Sequence, residues 1–274
     1  MPRFAPLPDR RPAIVAGASS GIGEATAIEL AAHGFPVALG ARRVEKLDDI
    51  VGKINADGGE AVGFYLDVTD PNSVTSFVAQ SVDALGDIEV LVAGAGDTYF
   101  GKLAEITGEE FDSQLQIHLV GAFRLASAVV PGMMQRQRGD LIFVGSDVAL
   151  RQRPHMGAYG AAKAALVAMV TNLQMELEGT GVRASIVHPG PTKTGMGWSL
   201  PAEKIGPALQ DWATWGQARH DYFLRAADIG RAITFVAETP RGGVIVNMEL
   251  QPEAPLTDTT DRQKLARGEE GLPS

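Results

Sequence analysis

Ala13-Ile14-Val15-Ala16-Gly17-Ala18-Ser19-Ser20-Gly21-Ile22-Gly23 runs from four apolar residues, through a glycine-rich turn, into a helix-forming segment that carries Glu24 to His33. Glycines at such a junction permit a tight turn and let the backbone approach a pyrophosphate closely. The helix start adds free N–H groups and the positive end of the helix dipole. The spacing is G-x-x-x-G-x-G rather than the dinucleotide-fold G-x-G-x-x-G, so an ordinary strand-to-helix turn is the competing reading. A place after the first strand and before a helix favours a nucleotide loop.

Working outward, short apolar runs recur between longer amphipathic stretches. Ala13–Ala16, Val37–Leu39, Ala61–Leu66, Val90–Ala93, Leu141–Val144, Val182–Val187 and Gly243–Met248 read as strands. Gly21–His33, Val44–Asp57, Asn72–Leu85 and His155–Glu178 read as helices. The strands are apolar throughout instead of alternating, which fits burial on both faces. Strand–helix alternation of this kind predicts an α/β fold, a doubly wound parallel sheet in three α/β/α layers. No internal repeat and no Gly/Ser-rich linker divides the chain, so residues 1–250 read as a single domain. Residues 251–274, with Pro252, Pro255 and Pro273 among mixed charges, read as a surface or partly disordered tail.

The 274 residues, 45% of them hydrophobic, are enough to bury a full core. A formal charge of −9 argues against a nucleic-acid backbone or an anionic membrane as partner. There are no cysteines, which removes disulfides and thiolate metal sites and suits a reducing compartment. No uninterrupted apolar run reaches the roughly 18 residues of a membrane span, and Met1–Pro12 lacks a signal-peptide core. The expectation is a cytoplasmic protein.

Tyr159-Gly160-Ala161-Ala162-Lys163 puts a phenol and an ammonium at i and i+4 in a helix-forming run, on one helix face. Acid–base work near neutral pH asks for a phenol roughly 3 units below its usual value of about 10, and nearby positive charge is the common means. By itself the pair is a frequent helical coincidence.

Together these segments resemble the short-chain dehydrogenase/reductase family. The glycine loop and Tyr-x-x-x-Lys come in the expected order, with Asp67-Val68 after strand three, Gly145-Ser146 ending strand five, Pro189-Gly190 after strand six, and Thr194 beyond. The likeness spans roughly residues 10 to 250. It implies a Rossmann-type fold and hydride transfer between a nicotinamide cofactor and a carbonyl or alcohol. It implies Tyr159 as acid/base, Lys163 as the group that lowers the Tyr159 pKa and holds the ribose, and Ser146 as the hydrogen-bond partner of the substrate oxygen. Cofactor contacts are implied at Gly17, Ser19, Ser20, Gly21, Ile22 and Gly23, at Asp67 and Val68 on the adenine, and at Ala93, Gly94 and Ala95. Pro189, Gly190, Thr192 and Thr194 complete them, with Thr194 on the carboxamide.

Two positions depart from the family pattern. His118 stands in Gln116–Gly121 where Asn is usual, and Ala93-Gly94-Ala95-Gly96 replaces Asn-Asn-Ala-Gly. His118 reads either as a catalytic relay or as a core imidazole satisfied by a backbone carbonyl. A catalytically impaired dinucleotide-binding sensor or scaffold is therefore the alternative function; an epimerase or dehydratase fits a compact domain less well. The segment that would carry an NAD-selective carboxylate reads Gly40-Ala41-Arg42-Arg43, with no acid before Glu45. Arg42 and Arg43 favour a 2′-phosphate, hence NADP(H) over NAD(H). No metal site is expected.

Trp198, Trp212 and Trp215 fall close together in the segment 194–225, which the resemblance makes a substrate lid, with Met196, Tyr222 and Phe223 nearby. They suggest a bulky apolar substrate, or they pack the lid or a subunit contact; His155 and Met156 are expected to reach the pocket. Phe111–Met134 (with Leu115, Ile117, Leu119, Val120, Phe123, Leu125, Val129 and Val130) and Ala164–Val170 show no consistently polar face. A helix covering a sheet needs one apolar stripe, so the second predicts a partner. The expectation is a homotetramer or homodimer, with burial under the lid or tail as the alternative.

Overall fold

Apolar residues that alternate sides along each strand lay down two cores, one on each face of a single parallel sheet. In β1 (Ala13–Ala16), Ala13 and Val15 join one buried cluster while Ile14 and Ala16 join the other. The computed structural model describes residues 4, 6–195, 202–217, 220 and 222–254. Met196, Trp198 and most of the tail lie outside the described residues.

In chain order the elements are β1, α1 (Gly21–Ala32), β2 (Val37–Ala41), α2 (Val44–Ala56), β3 (Ala61–Tyr65), α3 (Pro71–Leu85), β4 (Val90–Ala93) and α4 (Gly108–Leu115). A π-helical turn, Gln116–Val120, leads into α5 (Gly121–Arg136), followed by β5 (Gly139–Val144), α6 (Gly157–Glu176), β6 (Val182–Pro189) and β7 (Thr192–Lys193). Helix α7 (Ala202–Thr214), β8 (Leu224–Arg225), α8 (Ala226–Ala237) and β9 (Asn247–Leu250) complete the chain. The main sheet is ordered β3-β2-β1-β4-β5-β6-β9, all parallel, and β7 pairs β8 separately. The order reverses direction between β1 and β4. In doubly wound sheets this switch point opens a crevice at the carboxyl ends of the strands.

Local chemistry explains the helix starts. Asp70 caps α3 by accepting from the Asn72 N–H at 2.9 Å, with Pro71 at the first helical position, where its missing donor is harmless. Thr107 and Glu110 form a reciprocal capping box on α4. Helices α1 and α8 cover one face through Leu30, Ile229 and Ile233, while α3, α5 and α6 cover the other through Phe77, Leu125 and Leu166. At the amino ends of the strands Asp140, 5% exposed, is clamped between Arg11 and Arg183, so its buried charge is paired.

Two expectations shift. The last strand was expected at Gly243–Met248 and forms at Asn247–Leu250 instead. The Arg183 guanidinium donates to the carbonyls of Thr239, Pro240 and Gly243, holding that segment as a turn, and pairing with β6 starts only where Ile186 donates to Val246. The apolar stretch Phe111–Met134 is not one regular helix: the π turn interrupts it and brings His118 inward, to 2% exposure. Such turns favour functional sites.

Candidate active site

The crevice at the switch point is a cleft of about 990 Å³. Its floor at one end is the glycine loop. Gly17 has φ +83°, and a Cβ there would lie 2.7 Å from Ala95 Cα and 2.8 Å from the Gly94 oxygen, so only glycine lets the loops after β1 and β4 touch. A Cβ on Gly23 would lie 2.2 Å from the Gly17 carbonyl oxygen, which explains the second glycine of the motif. Ser20 enters α1 with no side-chain cap, so the first N–H groups of that helix keep no side-chain acceptor.

Beyond the loop, the Arg43 guanidinium donates to Ser19 Oγ at 2.9 Å and to Ser20 Oγ at 2.7 Å. Arg42 lines the cleft with no hydrogen bond or ion pair among the described residues. Burial opposes the Asp67 charge, but the Thr69 hydroxyl and N–H, with Arg42 and Arg124 nearby, outweigh it and hold that carboxyl below its usual range. This end offers two guanidiniums, hydroxyls and backbone N–H groups around a cradle that a Cβ would fill. Those donors fit an adenosine 2′-phosphate and a pyrophosphate.

At the other end, β5 delivers Ser146 and α6 delivers Tyr159 and Lys163 one turn apart, all three buried. Ser146 Oγ accepts from the Val148 N–H at 3.2 Å, and the serine hydroxyl faces the phenol. Lys163 Nζ donates to the Val144 carbonyl at 2.7 Å and lies 5.7 Å from the centre of the Tyr159 ring. The electrostatics differ from the sequence expectation. Burial pushes the Tyr159 phenol up to about 12, and Ser146 and Arg153 only partly oppose it. Burial also pushes Lys163 down to about 7, so the ammonium that was to depress the phenol carries only part of its charge at neutral pH.

His118 packs edge-on against Tyr159, ring centres 5.0 Å apart. Its Nε2 sits 2.6 Å from the Asp97 carbonyl, an acceptor only, so Nε2 carries the proton and Nδ1 is bare. Nδ1 is buried without a partner among the described residues. Burial, then the Lys163 charge, holds His118 well below its ordinary pKa, as a neutral ring.

Every catalytic and cofactor-contact candidate named from the sequence lines this cleft except Ala93. The Ala93 side chain ends β4 inside the apolar core, because strand alternation turns it away while Gly94 continues into the crevice. Among the aromatics of segment 194–225, Trp212, Tyr222 and Phe223 line the cleft, whereas Trp215 is 68% exposed. Met156 lines it as expected. His155 does not: at φ +65° it turns to pair with Asp211 at 2.7 Å and ties α7 down. Sequence reasoning passed over Arg153, Phe100 and His220, which also line the cleft; His220 has both ring nitrogens buried without partners among the described residues. No spacing rule marks such residues, because the folded loops alone bring them to the site.

The short chain dehydrogenase family model matches residues 11–205. The chain belongs to this family. A glycine betaine reductase of Emericella nidulans is 33% identical over 88% of this chain, which spans only 18% of that relative's length. A 2,3-dihydro-2,3-dihydroxybenzoate dehydrogenase of Bacillus subtilis is 36% identical over 71% of this chain and 74% of its own. Among solved structures, an alcohol dehydrogenase of the archaeon Thermococcus sibiricus complexed with 5-hydroxy-NADP superposes with a TM-score of 0.76 at 30% identity, covering 90% of this chain and 100% of that one. The protein is thus a short-chain dehydrogenase/reductase with the family's Rossmann-type sheet.

Proposed function

We propose that this short-chain dehydrogenase/reductase uses NADP(H) to interconvert a carbonyl and an alcohol on a bulky, largely apolar substrate. The carrying observation is one cleft with Ser146, Tyr159 and Lys163 buried together at one end and Arg42 and Arg43 at the other. Bound NADP(H) would supply or take up the hydride. Arg42 and Arg43 would hold its 2′-phosphate, the glycine loop its pyrophosphate, and Asp67 and Val68 the adenine; Pro189, Gly190, Thr192 and Thr194 would line its nicotinamide end. The NADP-type ligand of the Thermococcus sibiricus enzyme supports this choice.

The side chains then divide the work. The Ser146 hydroxyl holds the substrate oxygen against the phenol. Tyr159, pushed up to about 12, is protonated at neutral pH and suited to give its proton to a carbonyl oxygen, the acid step of a reduction. Lys163, donating to Val144 O, has N–H bonds left for the ribose. His118 cannot pass a proton through its ring, because Nε2–H points at a backbone carbonyl. Its bare Nδ1 fits a fixed acceptor at the wall of the site, for a water or a donor of the ligand.

A homo-oligomer, dimer or tetramer, fits the faces left over. Of the apolar α5 residues Leu125 and Val129 go to the core, but Phe123 is 56% and Met134 42% exposed, and Met175 on α6 is 75% exposed. The continuous helical stretch Gly108–Arg136 is long and apolar enough by composition to pass for a membrane span, and 39% of its most apolar window is buried. Its inner face packs on the sheet, which makes it a core helix, and a second copy would cover the rest. Screening ketones, aldehydes and alcohols against NADPH, NADH and their oxidised forms by nicotinamide absorbance tests the reading. Turnover of a bulky ketone with NADPH supports it; no turnover across the panel removes it.

A further inference from the structure

Arg153 is a half-buried cation that lines the cleft and that none of the roles above uses. Its guanidinium donates from both terminal nitrogens to Asp147, at 3.1 and 2.5 Å, and Asp147, 3% exposed, follows Ser146 directly in the chain. The guanidinium carbon lies 5.6 Å from the centre of the Trp212 ring, on lid helix α7. Trp212 is itself fixed by donating Nε1–H to the Pro154 carbonyl at 2.8 Å and by packing on Phe100. Arg153 is thus held from the reaction-centre side by Asp147 and stacked on the lid, with its side chain 13% exposed.

A guanidinium has five N–H bonds in a planar fork. Asp147 occupies the end formed by the two terminal nitrogens. The Nε–H and the neighbouring outer N–H stay parallel along the side of the fork and have no acceptor among the described residues. Parallel donors of this kind match the two oxygens of a carboxylate. Trp212 lies over the guanidinium, and Phe100, Val148, Met156 and Leu209 add apolar side chains to the lining of the same cleft. Arg153 and Tyr159 line the same cleft.

We propose that Arg153 is a substrate-carboxylate anchor and that the substrates are keto acids, or the matching hydroxy acids, with an apolar or aromatic body. The inference rests on the oxidoreductase reading above and narrows its substrate class. The Asp147 side of the guanidinium orients the fork, the Trp212 side covers its face, and the free edge meets the acid. The apolar body then lies along Phe100 and Met156, and the reacting carbonyl reaches Ser146 and Tyr159.

The test compares phenyl-bearing α-, β- and γ-keto acids with their methyl esters as substrates with NADPH. For the best-fitting chain length the acid is expected to exceed its ester in kcat/KM by about ten- to a hundredfold, the range of one hydrogen-bonded charged contact. Arg153→Met should bring that ratio towards one, and Arg153→Lys should retain part of it. Because Arg153→Met strands the Asp147 charge, the double variant Asp147→Asn/Arg153→Met is measured alongside. Equal use of acids and esters by the wild type, or an acid/ester ratio unchanged in the variants, would overturn the proposal and leave Arg153 as an anchor for the lid. Were no compound turned over, the oxidoreductase reading alone would fail. Calorimetry of the NADP-loaded full-length protein with a phenyl acid and its primary amide then decides the anchor: acid preference in the wild type that is lost in Arg153→Met upholds it, and equal affinities sink it.

Discussion

Lys163→Met should stabilise the cofactor-free protein at acid pH and lose that advantage as pH rises. Burial lowers the Lys163 pKa from 10.5 to about 7. Because the folded value lies below the unfolded one, the folded wild type binds fewer protons than the unfolded chain between those two values. Its stability therefore climbs with pH across the window and is lowest below about 7, where the buried ammonium is fully charged. Each pH unit of the gap corresponds to about 1.36 kcal/mol, which sets a ceiling of about 5 kcal/mol. Methionine also forfeits the hydrogen bond to Val144 O, worth about 1 kcal/mol. After that loss, and with some water reaching the site, the variant should exceed wild type by about 2–4 kcal/mol near pH 6. Near pH 10 it should be equal or slightly weaker. Urea denaturation followed by circular dichroism, at one protein concentration and without cofactor, reads the difference at several pH values. A difference that stays constant from pH 6 to about 10 would refute the buried-ammonium argument.

Arg42→Asp should move the kcat/KM preference from NADPH towards NADH, since it removes a phosphate partner and offers a carboxylate to a ribose hydroxyl. A wild type that already prefers NADH would show the arginine argument to be wrong. Phe123→Glu, on the exposed face of α5, should convert a dimer or tetramer into a species near the 28.9 kDa chain mass by light scattering behind a sizing column. A wild type already at that mass would defeat the interface argument, and a stable wild-type dimer would defeat only the tetramer.

The fold was legible because its signals are local. Ala13–Gly23 contains strand, turn and helix in eleven consecutive residues, and the strand runs are apolar on both faces because helices cover both. The end of the sheet was less legible: Gly243–Val246 has strand composition, yet the distant Arg183 holds it as a turn. The π turn around His118 escaped notice for a similar reason, since its sequence keeps helical spacing on both sides. Ser146, Tyr159 and Lys163 could be named from their motifs. Their electrostatics could not, because an i, i+4 spacing says nothing of burial, and burial dominates the shifts of both Tyr159 and Lys163. Arg153 became visible only when the chain closed, since its meaning lies in Asp147 on one side and Trp212 on the other.

Tyr159→Phe, assayed for NADPH-dependent turnover of the best ketone found and separately for NADPH binding by fluorescence, tests the central claim most directly. The phenol hydroxyl is the only group removed, and the ring that packs against His118 stays in place. The expected result is a fall in kcat of about 10²–10⁴-fold, the usual weight of a positioned acid, with cofactor affinity nearly unchanged. A variant that keeps more than about a tenth of the wild-type kcat would contradict the assignment of Tyr159 as the acid/base.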